Sequence, residues 1–161
     1  MAKWVTRERP KIDRIACPWL LRRFVEADAE FLYVPTERVF EVARQTGATP
    51  YDIPGADPFS HVGELCSFDA FIGHYGLDDP ALHRLAVIVR GADTARHDLA
   101  PEASGLHAIS MGLSAIIPND HAGVTAGTTH IVFAVRSQLS RTARPGKGLA
   151  SLSISAIPGF C

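Results

Sequence analysis

The chain has 161 residues, 47% of them hydrophobic and 20% charged, with a formal net charge of −1. That is enough for one domain with its own core, and too balanced for a global field drawing it to nucleic acid or an anionic membrane. No apolar run reaches the roughly 18 residues that span a bilayer, no signal-peptide region opens the chain, and three cysteines (Cys17, Cys66, Cys161) are too few for a disulfide scaffold. The expectation is a cytoplasmic protein whose thiols are free or held by a metal.

Lys3-Trp4-Val5-Thr6 reads as a short first strand. Cys17 to Val25 fits a helix with Pro18 at its first position, where the missing N–H costs nothing. A cysteine there would face the positive end of the helix dipole, which favours the thiolate; the competing reading is a buried, inert packing residue. Glu30 to Val34 reads as a strand, and Pro35-Thr36-Glu37 opens a helix through Arg44 that Gly47 closes.

Pro50 to Leu65 is rich in Pro, Gly and Asp and reads as an ordered loop. Ser67 can cap a short helix, Phe68 to Tyr75, ended by Gly76. Asp79-Pro80 is a cap followed by a proline at the first helical position, opening a helix to about Gly91. Glu102 to Ile117 fits another helix with Leu106, Ile109, Leu113 and Ile116 on one face. The predicted class is α+β, a single domain with a small sheet from the N-terminal half packed with several helices.

Charge divides the chain. Residues 1–120 hold all seventeen acidic residues and twelve of the sixteen Lys/Arg, whereas 121–161 has four basic residues, no acid, and much Ser, Thr and Gly. Thr128 to Val135 is the one plausible strand there. The domain is therefore expected over 1–120, with 121–161 an atypical tail: a basic, disordered arm or the product of a shifted reading frame.

Two clusters carry potential chemistry. Between Ser60 and Asp69 lie His61, Glu64, Cys66 and Asp69, all ligand types for a borderline metal such as zinc. With Cys17 they form a candidate metal or oxyanion set, Cys17, His61, Glu64, Cys66 and Asp69, in which Cys17 should lie within a few ångströms of Cys66 or His61. The competing reading makes Cys66 a buried hydrophobe, Asp69 a local cap and His61 a solvated loop residue. A supporting charge network is expected from Asp13, Arg14, Arg22, Arg90 and Asp93. His74, His83 and His97 read as surface residues, while His107 is undecided between core and ligand.

These residues fall in stretches that resemble the C-terminal domain of ChrB-type chromate resistance proteins. The stretches are Lys11 to Leu20, Phe31 to Pro35, Gly47 to Gly55, His61 with Gly63 to Asp69, Ile88 to Asp93, and Ala100 to Leu106. The resemblance implies a part in chromate resistance and the stress response, as a sensor or regulator that binds a metal ion or a chromate-like oxyanion. Longer members of the family carry an N-terminal region thought to bind DNA. This chain begins at the part that resembles the C-terminal domain, so DNA binding is not expected of it. Partners on this reading are a small inorganic ion and, in a homodimer, a second copy; no membrane is expected. A thiol-dependent reductase or sulfur-handling enzyme using Cys17 or Cys66, and a non-catalytic interaction module, remain the alternatives. The family pattern continues past Asp120 with an acidic, aromatic helix that this tail lacks.

Overall fold

Trp4, Val5 and Thr6 are all buried, so the first strand is covered on both faces, as the central strand of a parallel sheet must be. In the computed structural model, which describes residues 1–128, β1 (Lys3–Arg7) is flanked by β2 (Glu30–Val34) and β3 (Thr49–Pro50) in the order β2-β1-β3, and both pairings are parallel. Parallel neighbours require crossovers, and two helices supply them: α1 (Ile12–Phe24) between β1 and β2, and α2 (Val39–Thr46) between β2 and β3. The remaining helices are α3 (Ser67–Tyr75), α4 (Pro80–Asp93) and α5 (Ala103–Ile116), and 120–128 is helical. This is an α+β domain with a small N-terminal sheet, as its sequence predicts.

The sheet separates two apolar clusters. Val5 packs with Val39, Ala48, Ile53 and Ala56 on the α2 side. The larger cluster joins Trp4 and Phe31 to α1, α3 and α4 through Leu20, Leu21, Phe71, Leu85 and Val89. Phe71 stacks on Phe59 at 4.8 Å and meets Trp4 edge-on at 5.3 Å, and these aromatic pairs lock α3 onto the sheet.

Several predicted boundaries hold for the predicted reasons. Gly47 ends α2 at φ 71°, Gly76 ends α3 at φ 59°, and the Asp79 carboxylate accepts the Ala81 and Leu82 N–H groups above Pro80. Two helix starts differ. α1 begins at Ile12, five residues before Cys17, so Pro18 lies inside the helix. No side chain caps this start locally; instead the Ser110 hydroxyl of α5 accepts the Ile12 N–H at 2.9 Å. Likewise Cys66, not Ser67, is the residue before α3, and the Asp69 carboxylate reaches back to accept its N–H at 3.2 Å.

The tail differs too. Residues 121–128 are helical, Val124 is buried, and Gly127 lies so close to Ile15 that an added Cβ would sit 2.7 Å from its Cγ2. Thr128, the first residue of the predicted strand, is therefore in a helix; the rest of that strand and Cys161 lie outside the described residues. On α5 only Ala103 and Ser110 are buried, leaving Ile109 and Ile116 exposed. Among the described residues, no helix is long and apolar enough to cross a membrane.

Candidate metal centre

In an open parallel sheet, ligands bind beyond the carboxyl ends of the strands, where neighbouring strands connect in opposite directions. Here that point lies between β1 and β3. The chain leaves β1 into α1, whose first turn carries Asp13, and leaves β3 into a turn carrying Asp52. A third element, the loop before α3, brings His61 between them. Its Nε2 is 3.7 Å from Asp13 Oδ2, 3.5 Å from Asp52 Oδ1 and 3.1 Å from Asp93 Oδ2, the last residue of α4. One donor atom from each of Asp13, Asp52 and His61 can be chosen so that all lie within 4.8 Å of one another.

The two buried aspartates are held differently. Asp52 adopts the left-handed conformation at φ 51°, which Asp tolerates better than most residues. Its carboxylate accepts the Ser67 hydroxyl at 2.8 Å, pairs with Arg7 at 2.9 Å and lies 3.6 Å from the Arg14 Nε. Burial alone would raise this carboxyl, but hydrogen bonding to His61 and Ser67 and the charges of Arg14 and Arg7 outweigh it and hold it low. Among the described residues, no arginine lies within ion-pair distance of Asp13. Its Oδ2 accepts the Ser67 and Phe68 N–H groups at 2.6 and 3.3 Å, capping α3 from another helix; the Cys66 thiol also acts on this carboxyl, and the buried Oδ1 has no close hydrogen-bond partner among the described residues. Burial, then the charges of Asp93 and Asp52, push the Asp13 carboxyl well up.

His61 balances these carboxylates. Hydrogen bonds to Asp52 and Asp93 raise its pKa to about 10. The group titrates near 6.5 in an unfolded chain, so its stabilising charge is fully present below that pH and is lost as pH rises towards 10. The melting temperature should therefore fall over this window, and His61→Gln should flatten the fall. A wild-type melting curve unchanged across it would remove His61 from the charge balance.

The other predicted site residues have different surroundings. Cys66 donates its thiol to Asp69 Oδ2 at 3.3 Å, and Arg90 pairs with the other oxygen of Asp69 at 3.2 Å. Asp69 is thus engaged in holding the start of α3. Glu64 is exposed in the turn between Val62 and Leu65 and acts electrostatically on Arg96. Arg22 donates to the Ala29 carbonyl and lies 4.9 Å over the Phe31 ring. Of the expected charge network, Asp13, Arg14 and Asp93 face the His61 cluster, Arg90 serves Asp69, and Arg22 serves β2. His107 meets the Ala92 carbonyl at 3.1 Å, tying α5 to α4.

Cys17 follows the packing reading, and its expected place at a helix start is corrected. It lies in the middle of α1, fully buried, with no helix N-terminus to favour its thiolate. Burial, then Asp13, Asp52 and Cys66, push its thiol well up, and burial pushes Cys66 up too. Both should resist an aromatic disulfide reagent in the native protein and react fully on denaturation, as read by peptide mapping. Rapid native labelling of either would contradict this burial.

Asp52 is the residue that sequence reading missed. It falls within Pro50 to Leu65, which reads as an ordered loop, and only the parallel pairing of β3 with β1 gives it a place beside Asp13.

Comparison with known proteins agrees with this domain's identity. The family described as "ChrB, C-terminal domain" matches residues 4–133. Protein ChrB of Cupriavidus metallidurans is 37% identical over 123 residues, covering 74% of this chain and 36% of that protein. The chain thus spans about a third of the length of this curated relative, and the family match extends past Asp120 through the helical 121–128 stretch. No solved structure matches the chain. The chain belongs to the ChrB-type chromate resistance family, through that family's C-terminal domain.

Proposed function

We propose that this domain is the ion-sensing part of a chromate resistance protein, and that it senses by holding a metal cation between Asp13, Asp52 and His61. The observation that carries this reading is the convergence of these three donors, from three elements, at the carboxyl end of the β1–β3 pair. Carboxylate oxygen with imidazole nitrogen is a ligand set for a divalent metal, zinc among them. An oxyanion fits less well. Asp13, Asp52 and Asp93 crowd the place it would occupy, and the arginines at the rim, Arg7 and Arg14, already face Asp52. Chromate reduction by a reactive cysteine is disfavoured by two buried thiols whose pKa values are both raised. The cation is on this reading the signal, and chromate resistance the context supplied by the family.

Calorimetric titration of the purified protein with Zn²⁺ and Mn²⁺, with chromate and sulfate as controls, tests it. Binding of about one metal per chain is expected, lost in Asp13→Asn and His61→Gln. Wild-type protein that binds chromate but neither metal, or variants that bind metal as wild type does, would overturn it.

A further inference from the structure

We infer that Ser67 is the positioning residue of this centre: with one hydroxyl and one amide it holds the two carboxylate oxygens that an ion beside His61 would bind. The inference rests on the cation reading above and names the residue on which the site's geometry depends.

Ser67 is the first residue of α3 and is fully buried. Its hydroxyl donates to Asp52 Oδ1 at 2.8 Å, and its N–H donates to Asp13 Oδ2 at 2.6 Å. These are the same two oxygens that stand 3.5 and 3.7 Å from His61 Nε2. Ser67 and the imidazole thus address one pair of atoms. The amide nitrogen and hydroxyl oxygen of a serine are three bonds apart, roughly 3–4 Å. Two oxygens bonded to them are held as near neighbours, in keeping with donor atoms of Asp13, Asp52 and His61 that all lie within 4.8 Å of one another.

Buried carboxylates this close repel each other. Two donors on one residue offset that repulsion and keep the pair converged before an ion arrives. They also leave room for it, because a carboxylate oxygen accepts along two lone pairs and Ser67 takes up one on each.

The neighbouring contacts do a different job. Arg7 and Arg14 face Asp52 through Oδ2, its other oxygen, so they balance its charge and leave the aim of Oδ1 to Ser67. Phe68 adds a longer bond, 3.3 Å, to Asp13 Oδ2 and donates nothing to Asp52 in the same way; the side chain of Ser67 is what ties the second ligand to the first. Partners of this kind set the orientation of ligating groups, and losing one typically costs 10- to 100-fold in metal affinity.

The test is a Co²⁺ titration of the full chain followed by visible absorption, comparing the wild type with Ser67→Ala and Asp69→Ala. Asp69 also holds the start of α3, but through Cys66 and Arg90 rather than through Asp13 or Asp52. Ser67→Ala should weaken Co²⁺ binding by about 10-fold and shift its absorption bands. Asp69→Ala should lower the melting temperature and leave affinity and bands close to those of the wild type. A Zn²⁺ titration of the wild type followed by amide NMR shifts tests the backbone half without any variant. The Ser67 and Phe68 N–H signals should move with occupancy until the site is full, and this measurement decides the matter if Ser67→Ala does not fold. Wild-type affinity and bands in Ser67→Ala, equal weakening in Asp69→Ala, or Ser67 and Phe68 signals that stay still at saturating Zn²⁺ would each overturn the assignment and leave the cation reading standing. Failure of the wild type to bind either cation overturns the cation reading, and this inference with it.

Discussion

Asp52→Ala should cost the protein about 3–5 kcal/mol, the penalty for stripping one partner from a buried ionic network. The carboxylate holds Arg7, Arg14, the Ser67 hydroxyl and His61 together. Without it the Arg14 side chain, 13% exposed, keeps its charge with no carboxylate within ion-pair distance among the described residues. Domains are stable by only about 5–15 kcal/mol, so a large part of the folding free energy would go. The melting temperature should drop by on the order of 10 °C. Part of the loss comes from forcing alanine to φ 51°, so Asp52→Asn is the cleaner variant: asparagine tolerates that conformation and still accepts from Ser67. It should lose less than the alanine variant but remain clearly destabilised, because the guanidinium groups face a neutral amide. Urea denaturation of both variants measures this. A cost under about 1 kcal/mol for the alanine variant would show that the network is too solvated to count.

The same residue shows where sequence reading stops. Elements carrying their own signals were legible: Asp79-Pro80 before α4, Gly47 and Gly76 after α2 and α3, and the short apolar runs of β1 and β2. The start of α1 was not, because it is capped from a distance, and α3 has a distant cap beside its local Cys66–Asp69 one. Ser110 accepts from Ile12 across 98 positions, and Asp13 accepts from Ser67 across 54. No local rule sees such a cap. Cys17-Pro18 then imitates a helix start, since proline at a first turn is a sound local signal and proline in mid-helix is rare.

The site was half legible for a related reason. His61 stood out as an imidazole in or beside a loop with carboxylates and a thiol, and Asp13, Arg14 and Asp93 as members of a supporting charge network. The set assembled from them leaned on Cys66 and Asp69, adjacent in sequence to His61. In the fold those two face each other and hold the start of α3, whereas the donors facing His61 come from β3's turn, α1 and α4. Sequence proximity selected the neighbours that build the local turn. The parallel β2-β1-β3 order selected those that share a centre.

Asp13 separates a site from a scaffold, because it should behave oppositely to Asp52. Its carboxyl is pushed up by burial and by Asp93 and Asp52. A group whose folded pKa is raised favours folding only at low pH, and that contribution is lost as pH climbs above its unfolded value. At neutral pH the Asp13 carboxyl therefore costs stability, even though it accepts two N–H groups of α3. Asp13→Asn keeps an oxygen for those amides and removes the charge. The metal-free variant should match the wild type or exceed it by up to about 1 kcal/mol, with more gain at pH 8 than at pH 5. It should also lose metal binding. A residue that raises stability when neutralised, yet abolishes binding, is one whose charge serves a ligand. If thermal melts instead show Asp13→Asn losing as much as Asp52→Ala, Asp13 is a structural cap for α3, and the candidate centre loses it.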